Sequence, residues 1–164
     1  GCGNGMHPLT YCSENPSRTL IALERTKERY EKFLKRVEEN GSLSNLIPIR
    51  ANAINWCSHY LKPNSVDKIY ILYPNPSPTN KSDRWACMPF MSVLIDSLKA
   101  GGEIHMASNE QAYIEEAFNQ FTEKWNLKCL EHKSLESDHM YRTQFEKKFL
   151  EKGETCFNLV VQKK

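Results

Sequence analysis

Residues 65–78 read SVDKIYILYPNPSP. Within them Ile69, Tyr70, Ile71, Leu72 and Tyr73 form an unbroken β-rich run without a turn residue. Such a run, bounded by polar and proline-rich sequence, predicts a strand buried on both faces at the centre of a parallel sheet. It ends in Pro74-Asn75-Pro76-Ser77-Pro78, whose three prolines exclude helix and ladder and stiffen the loop. In open α/β sheets ligands bind just past the carboxyl ends of strands, which makes Asn75 a candidate site residue. The alternative is a rigid connection without chemistry.

Upstream, the chain opens on Gly1-Cys2-Gly3-Asn4-Gly5, a glycine-rich turn, then a short helix around residues 9–12. Glycines at alternate positions let backbone approach a ligand closely. A loop of this kind follows a strand, so a strand is expected upstream of Gly1. Residues 19–23, TLIAL, read as a strand with Glu24 at its carboxyl end. A glycine turn followed about twenty residues later by an acid at a strand end is the pattern that holds a nucleotide ribose. Residues 25–40 form an amphipathic helix with Tyr30, Phe33, Leu34 and Val37 inward, and Glu28–Lys32 and Glu31–Lys35 pairs in water. Residues 46–50 are a short strand whose Pro48 marks an edge. Asn52, before a helix through Ile54, Cys57 and Leu61, is either its cap or an acceptor for an adenine amine.

Downstream, residues 88–98 predict a helix, 99–102 a break, and 103–107 a strand. Ser108 and Gln111 fit a capping box for a helix carrying Ile114, Ala117, Phe118, Phe121 and Trp125. A strand at 127–130, a polar loop to Arg142, a helix at 143–152 and a strand at 156–161 complete the chain. Strands alternating with helices and ending outside that rhythm predict an α/β, doubly wound Rossmann-like sheet, mostly parallel with an antiparallel last strand. With 164 residues, one domain spanning 1–164 is expected.

Composition excludes other classes. Charged residues at 26% and apolar ones at 40% describe a globular chain rather than a disordered one. A net charge of +2 does not announce nucleic acid. Six widely spaced cysteines without a CxxC pair, and five histidines out of step with them, predict no metal site and reduced thiols, hence a cytoplasmic protein. No run approaches the ~20 apolar residues of a membrane helix.

Six stretches in order, GCGNG, ALE at 22–24, ANA at 51–53, YPNP at 73–76, GGEIHMASN at 101–109 and TQFEKKFLEKG at 143–153, resemble the TrmB family, the tRNA (guanine-N(7)-)-methyltransferases. The resemblance implies a class I methyltransferase fold, S-adenosyl-L-methionine as cofactor, and tRNA as partner. It implies that Gly1, Gly3, Asn4 and Gly5 lie against the methionine moiety, that Glu24 binds the ribose, and that Asn52 and Ala53 border the adenine. Asn75 is implied in cofactor binding and catalysis, and Glu146 is the second catalytic candidate, able to supply the negative field that an asparagine lacks. Thr143 and Glu146 match the family's T-x-x-E, similar to a clamp on the substrate guanosine and also to a capping box. Asn109 stands where the family usually has aspartate. The family's loop reads F-P-D-P-W, so Asn75 replaces a carboxylate and Ser77 a tryptophan. Its dense basic run shrinks here to Lys81 and Arg84, the candidate RNA contacts, with Asp83 opposing them; each lost cation removes a phosphate contact. The expected function is therefore S-adenosylmethionine-dependent methylation of tRNA guanine-N(7). The alternatives are a methyltransferase with another acceptor, or a catalytically weakened cofactor-binding partner protein. An NAD-dependent enzyme fits the loop sequences less well.

Overall fold

The glycine turn leads directly into a helix in the computed structural model, which describes residues 1–135 and 140–164. Its contacts divide into two compact units, Gly1–Trp56 with Arg142–Gln144, and Cys57–Tyr141 with Phe145–Lys164.

In the first unit, α1 (Met6–Glu14) is followed by β1 (Leu20–Glu24), α2 (Lys27–Glu39), β2 (Leu46–Arg50) and the start of α3 (Ala53–Tyr60). β1 and β2 pair in parallel, with Ala22 opposite Pro48. Pro48 lies on a strand with a single described neighbour, as its missing N–H requires. One sheet face carries Ala22 and Leu46, which pack with Leu9, Cys12, Phe33 and Val37 into the unit's core. Phe33 and Val37 lie one helical turn apart on α2, so a single stripe reaches that core. The Glu28–Lys32 pair forms at 2.7 Å. Glu31, expected on Lys35, meets Lys27 instead, and Lys35 meets Glu39. Both partners lie four residues away on a wet surface, so the choice between them is worth little. α2 ends as expected at Asn40-Gly41, where the amides of Ser42 and Gly41 return to the carbonyls of Val37 and Glu38.

In the second unit, β3 (Val66–Leu72), β4 (Leu98–Ser108), β6 (Phe157–Gln162) and β5 (Lys128–Ser134) form a four-stranded sheet in that order. β3 is parallel to β4, and β6 runs against both β4 and β5. The last strand is thus antiparallel, as the sequence predicts. α4 (Met91–Ser97), α5 (Gln111–Asn119) and α6 (Gln144–Glu151) supply the helices. Ile104, Met106, Leu159 and Val161 are fully buried on one face of the sheet, beside Ile114, Phe121, Met91 and Leu94 of the second unit's core.

Three expectations change. β3 is the terminal strand of its sheet and not central, and only Ile71 in it is buried. Its opposite face bears Lys68 and Tyr70, register partners of Glu103 and His105; Lys68 pairs with Glu103 and the Tyr70 ring lies 4.8 Å from that of His105. Tyrosine tolerates such a half-wet face, which hides it inside an apolar run. Residues 99–102 do not end an element cleanly, because β4 already starts at Leu98 and bulges outward between Val66 and Lys68 of β3. Ser108 is not a helix cap: its hydroxyl accepts from the Glu110 amide, and the N-cap of α5 is Glu110. Part of the polar loop expected before Arg142, residues 136–139, lies outside the described residues.

Candidate functional site

At the carboxyl end of β1, Glu24 is only 3% exposed. Its Oε2 accepts from the Gly3 amide at 2.8 Å and its Oε1 from the Thr26 amide at 2.8 Å. Burial opposes its ionisation, yet the Thr26 and Gly3 amides, with the charge of the Gly1 amino group and the Thr26 hydroxyl, together hold the carboxyl below its usual range. The Thr26 hydroxyl is a third donor to the carboxylate, and of its about four lone-pair sites one stays open. The turn is fixed alongside β1 by the Cys2 amide on the Leu23 carbonyl. Gly3 and Gly5 both have positive φ, 61° and 83°, but they serve different ends. A Cβ on Gly5 would strike Phe33 Cδ2 at 1.9 Å, whereas one on Gly3 would meet nothing within 4 Å. Gly5 therefore seats the turn on the core, and Gly3 keeps a surface open beside an ionised carboxylate. Those two features fit a ribose hydroxyl. Asn4 lines a recess of about 240 Å³ shared with Lys32, Lys35, Arg36 and Glu39.

The Ala51 amide donates to the Glu24 carbonyl, which brings residues 51–53 to the same strand end. The side-chain oxygen of Asn52 accepts from the amides of Ile54 and Asn55 at 2.9 and 3.3 Å. Of the two roles open to Asn52, its oxygen takes the helix cap, so it does not receive an adenine amine. Ala53, half-buried, opens α3.

In the second unit the end of β3 is built around Tyr73. Its amide still donates to the Ala107 carbonyl at 2.8 Å, but φ has turned to 52°. The Tyr73 hydroxyl donates to Oε1 of Glu146 at 2.8 Å. Burial first, then its neighbours Cys156 and Glu146, push that phenol far above its usual range, so it stays a proton donor. Glu146 itself is fully buried, with no exposed surface from which to touch an acceptor. The clamp expected of it is therefore replaced by an internal bond, and that oxygen is engaged away from the first turn of α6. Thr143, half-buried, immediately precedes α6.

Asn75 is exposed, and its side-chain oxygen accepts from the Ser77 amide at 3.1 Å. It is turned into its own loop, not projected freely over the strand ends. Arg84 also departs from expectation. Its guanidinium binds the carbonyls of Ser77 and Pro78 and reaches Glu116 at 2.6 Å, so its donors serve the loop and not a phosphate. Lys81 remains largely exposed, 3.6 Å from Glu116. Asn109 Nδ2 donates to Glu154 at 3.4 Å. Sequence reasoning missed Tyr73; the one signal was a tyrosine in YPNP where the resembled loop begins with phenylalanine, since only tyrosine adds a hydroxyl. Among the described residues no cluster is able to hold a metal ion, and no helix is long and apolar enough to cross a membrane.

Comparison with known proteins gives a consistent picture. A family model described as putative methyltransferase matches residues 1–159. The tRNA (guanine-N(7)-)-methyltransferase of Alkaliphilus oremlandii is 27% identical over 169 residues, covering 99% of this chain and 78% of that protein. Its counterpart from Staphylococcus aureus strain JH9 is 29% identical over 164 residues, covering 97% of this chain and 76% of its own. Among solved structures, the 16S rRNA methyltransferase KamB superposes with a TM-score of 0.74 at 19% identity, covering 99% of this chain and 84% of its own. A precorrin-6y C5,15-methyltransferase from Geobacter metallireducens does so at 0.70 and 13%, covering 99% and 77%. Likeness at such identity shows the fold.

Proposed function

We propose, from the premise that this chain belongs to the putative methyltransferase family over residues 1–159, that it is an S-adenosylmethionine-dependent enzyme methylating guanine-N(7) of tRNA. The observation that carries this reading is the buried, ionised Glu24 closing the glycine turn. It occurs in a chain whose curated relatives, matched over 97–99% of its length, bear that name. Glu24 takes a ribose hydroxyl on its remaining lone pair; Gly1, Gly3, Asn4 and Gly5 line the methionine moiety; Asn52 and Ala53 border the adenine. Residues 1–164 serve as one methyltransferase domain, and the protein works in the cytoplasm.

S-adenosylmethionine supplies, when bound, a methyl group made electrophilic by its sulfonium. Guanine-N(7) offers a lone pair that carries no proton, so no residue here has to act as a general base. The chain's task is alignment, an effect worth ~7–11 kcal/mol when complete. As the purine gains positive charge, Asn75, whose side-chain oxygen is held on the Ser77 amide, offers a dipole where a carboxylate would give a full charge. Asn109, Thr143 and Lys81 contact the RNA, Lys81 through a phosphate.

A second reading rests on Arg84. Its donors are taken by Ser77, Pro78 and Glu116, which leaves Lys81 as the exposed cation of this loop. A methyltransferase with a smaller acceptor needs no more. One experiment separates the two: incubate the protein with labelled S-adenosylmethionine and total RNA, digest, and identify the nucleoside. The first reading expects 7-methylguanosine. Measured cofactor binding with label absent from RNA would favour the second, or a partner protein without catalysis.

A further inference from the structure

A carboxylate with no exposed surface is expensive to bury unless it is hydrogen-bonded, and Glu146 is such a group. Its partner Tyr73 has an uncommon backbone. Left-handed φ in a bulky residue is an outlier that persists only where the surroundings over-determine it. Four contacts do so here. The Tyr73 amide stays on the ladder with Ala107, its hydroxyl donates to Glu146, the ring of Phe149 lies 5.9 Å away, and the Cys156 thiol is a second hydrogen-bond neighbour of the hydroxyl. Phe149 sits one turn after Glu146 on α6, so one helix face supplies two of the four. A phenol has one proton to give, and here it is on Glu146.

The residue after Tyr73 begins Pro74-Asn75-Pro76-Ser77-Pro78. Three prolines leave that segment few internal degrees of freedom, so the torsion at its root sets the direction of the whole loop. Its far end is tied by Arg84 to the carbonyls of Ser77 and Pro78. We infer that Tyr73 and Glu146 form a latch that aims the Asn75 loop: Glu146 works as a positioning residue through the Tyr73 hydroxyl and not by contact with the acceptor. The consequence for methyl transfer rests on the function proposed above; the latch itself does not.

The test uses the full chain and Tyr73→Phe, which removes one oxygen and keeps the ring. Amide hydrogen exchange reads the loop at Ser77 and Asn80, whose N–H groups are bonded to Asn75 and Ser77, and reads the core at Met106. Loss of a hydrogen bond to a charged group is expected to raise exchange at Ser77 and Asn80 about tenfold while Met106 is unchanged. KM for tRNA rises several-fold, and cofactor affinity measured by calorimetry stays the same. Glu146→Gln keeps an acceptor and gives a smaller change, and adding it to Tyr73→Phe gives none beyond the single variant. Unchanged loop exchange in Tyr73→Phe overturns the latch, as does a uniform loss of stability that moves Met106 with the loop. If Tyr73→Phe fails to fold, Glu146→Gln carries the same exchange readout. A wild-type protein that methylates no RNA defeats the proposed function, and exchange still decides the latch.

Discussion

Two carboxylates in this chain, Glu24 at the end of β1 and Glu146 in the first turn of α6, are each buried and each hydrogen-bonded, yet they are held in opposite ways. Glu24 takes two backbone amides, from Gly3 and Thr26. Glu146 takes a side-chain hydroxyl from Tyr73, seventy-three positions away. The flanking backbones differ in the same sense. Positive φ falls on glycine in the turn, at Gly3 and Gly5, but on Tyr73 and Ser77 in the proline loop. Backbone donors fix a carboxylate and leave a lone pair open for a ligand. A side-chain donor ties the carboxylate to packing and makes it a strut. The first arrangement suits binding and the second suits aiming.

The largest effect that would break this contrast lies in the turn. Gly5→Ala places a methyl against Phe33 at 1.9 Å in a left-handed conformation, and should destabilise the fold by about 3 kcal/mol from overpacking and backbone strain together. Gly3→Ala has the space and should lose only about 1–2 kcal/mol. Urea unfolding at constant m-value checks both, and equal losses would mean that Gly5 is not the seat of the turn.

Next comes Glu24→Gln, whose amide presents N–H to an amide where an oxygen stood. It should weaken cofactor binding by about 1–3 kcal/mol, measured by calorimetry. The same carboxyl gives the pH dependence. Its folded pKa is lowered, so its stabilisation is complete above the ordinary carboxylate value and disappears as pH falls through the folded one. Stability of the wild type should therefore drop below about pH 4.5 more steeply than that of Glu24→Gln, and parallel curves would remove Glu24 from the acid-labile set.

Asn75→Asp tests the other region more gently. Aspartate keeps the acceptor for the Ser77 amide, so the loop is preserved while a charge is added. If the latch aims this residue at the reacting purine, guanine-N(7) methylation should rise about tenfold, equivalent to ~1.4 kcal/mol in the barrier. No change with cofactor still bound would make the loop structural. The smallest effect is expected of Ser77→Gly. Relief at φ 44° is offset by the freer unfolded chain, and the net should lie within about 0.5 kcal/mol. A larger gain would show that the proline loop stores strain that the glycine turn does not.

What was legible beforehand follows the range of the interactions. The glycine turn, Glu24, the short strand with Pro48 and the antiparallel finish were readable because spacing, period and turn chemistry are local. The family resemblance followed from six short stretches in order. By contrast, spacing could not reveal that Tyr73 would be held on Glu146, that Arg84 would bind its own loop, or that Ser108 would miss the cap of α5. Each depends on partners that the chain brings together only on folding. The placement of β3 at the end of its sheet belongs with these, since Tyr70 and Ile71 look alike in a β-rich run until one face is packed and the other is not. The sequence alone therefore determined which residues are turned by their neighbours: Gly3 and Gly5 by having no Cβ, Glu24 by standing at a strand end, and the loop by its prolines. Only the tertiary structure decided where the buried charge of Glu146 finds its donor, because a carboxylate removed from water takes whichever hydroxyl or amide the packing places within 3 Å.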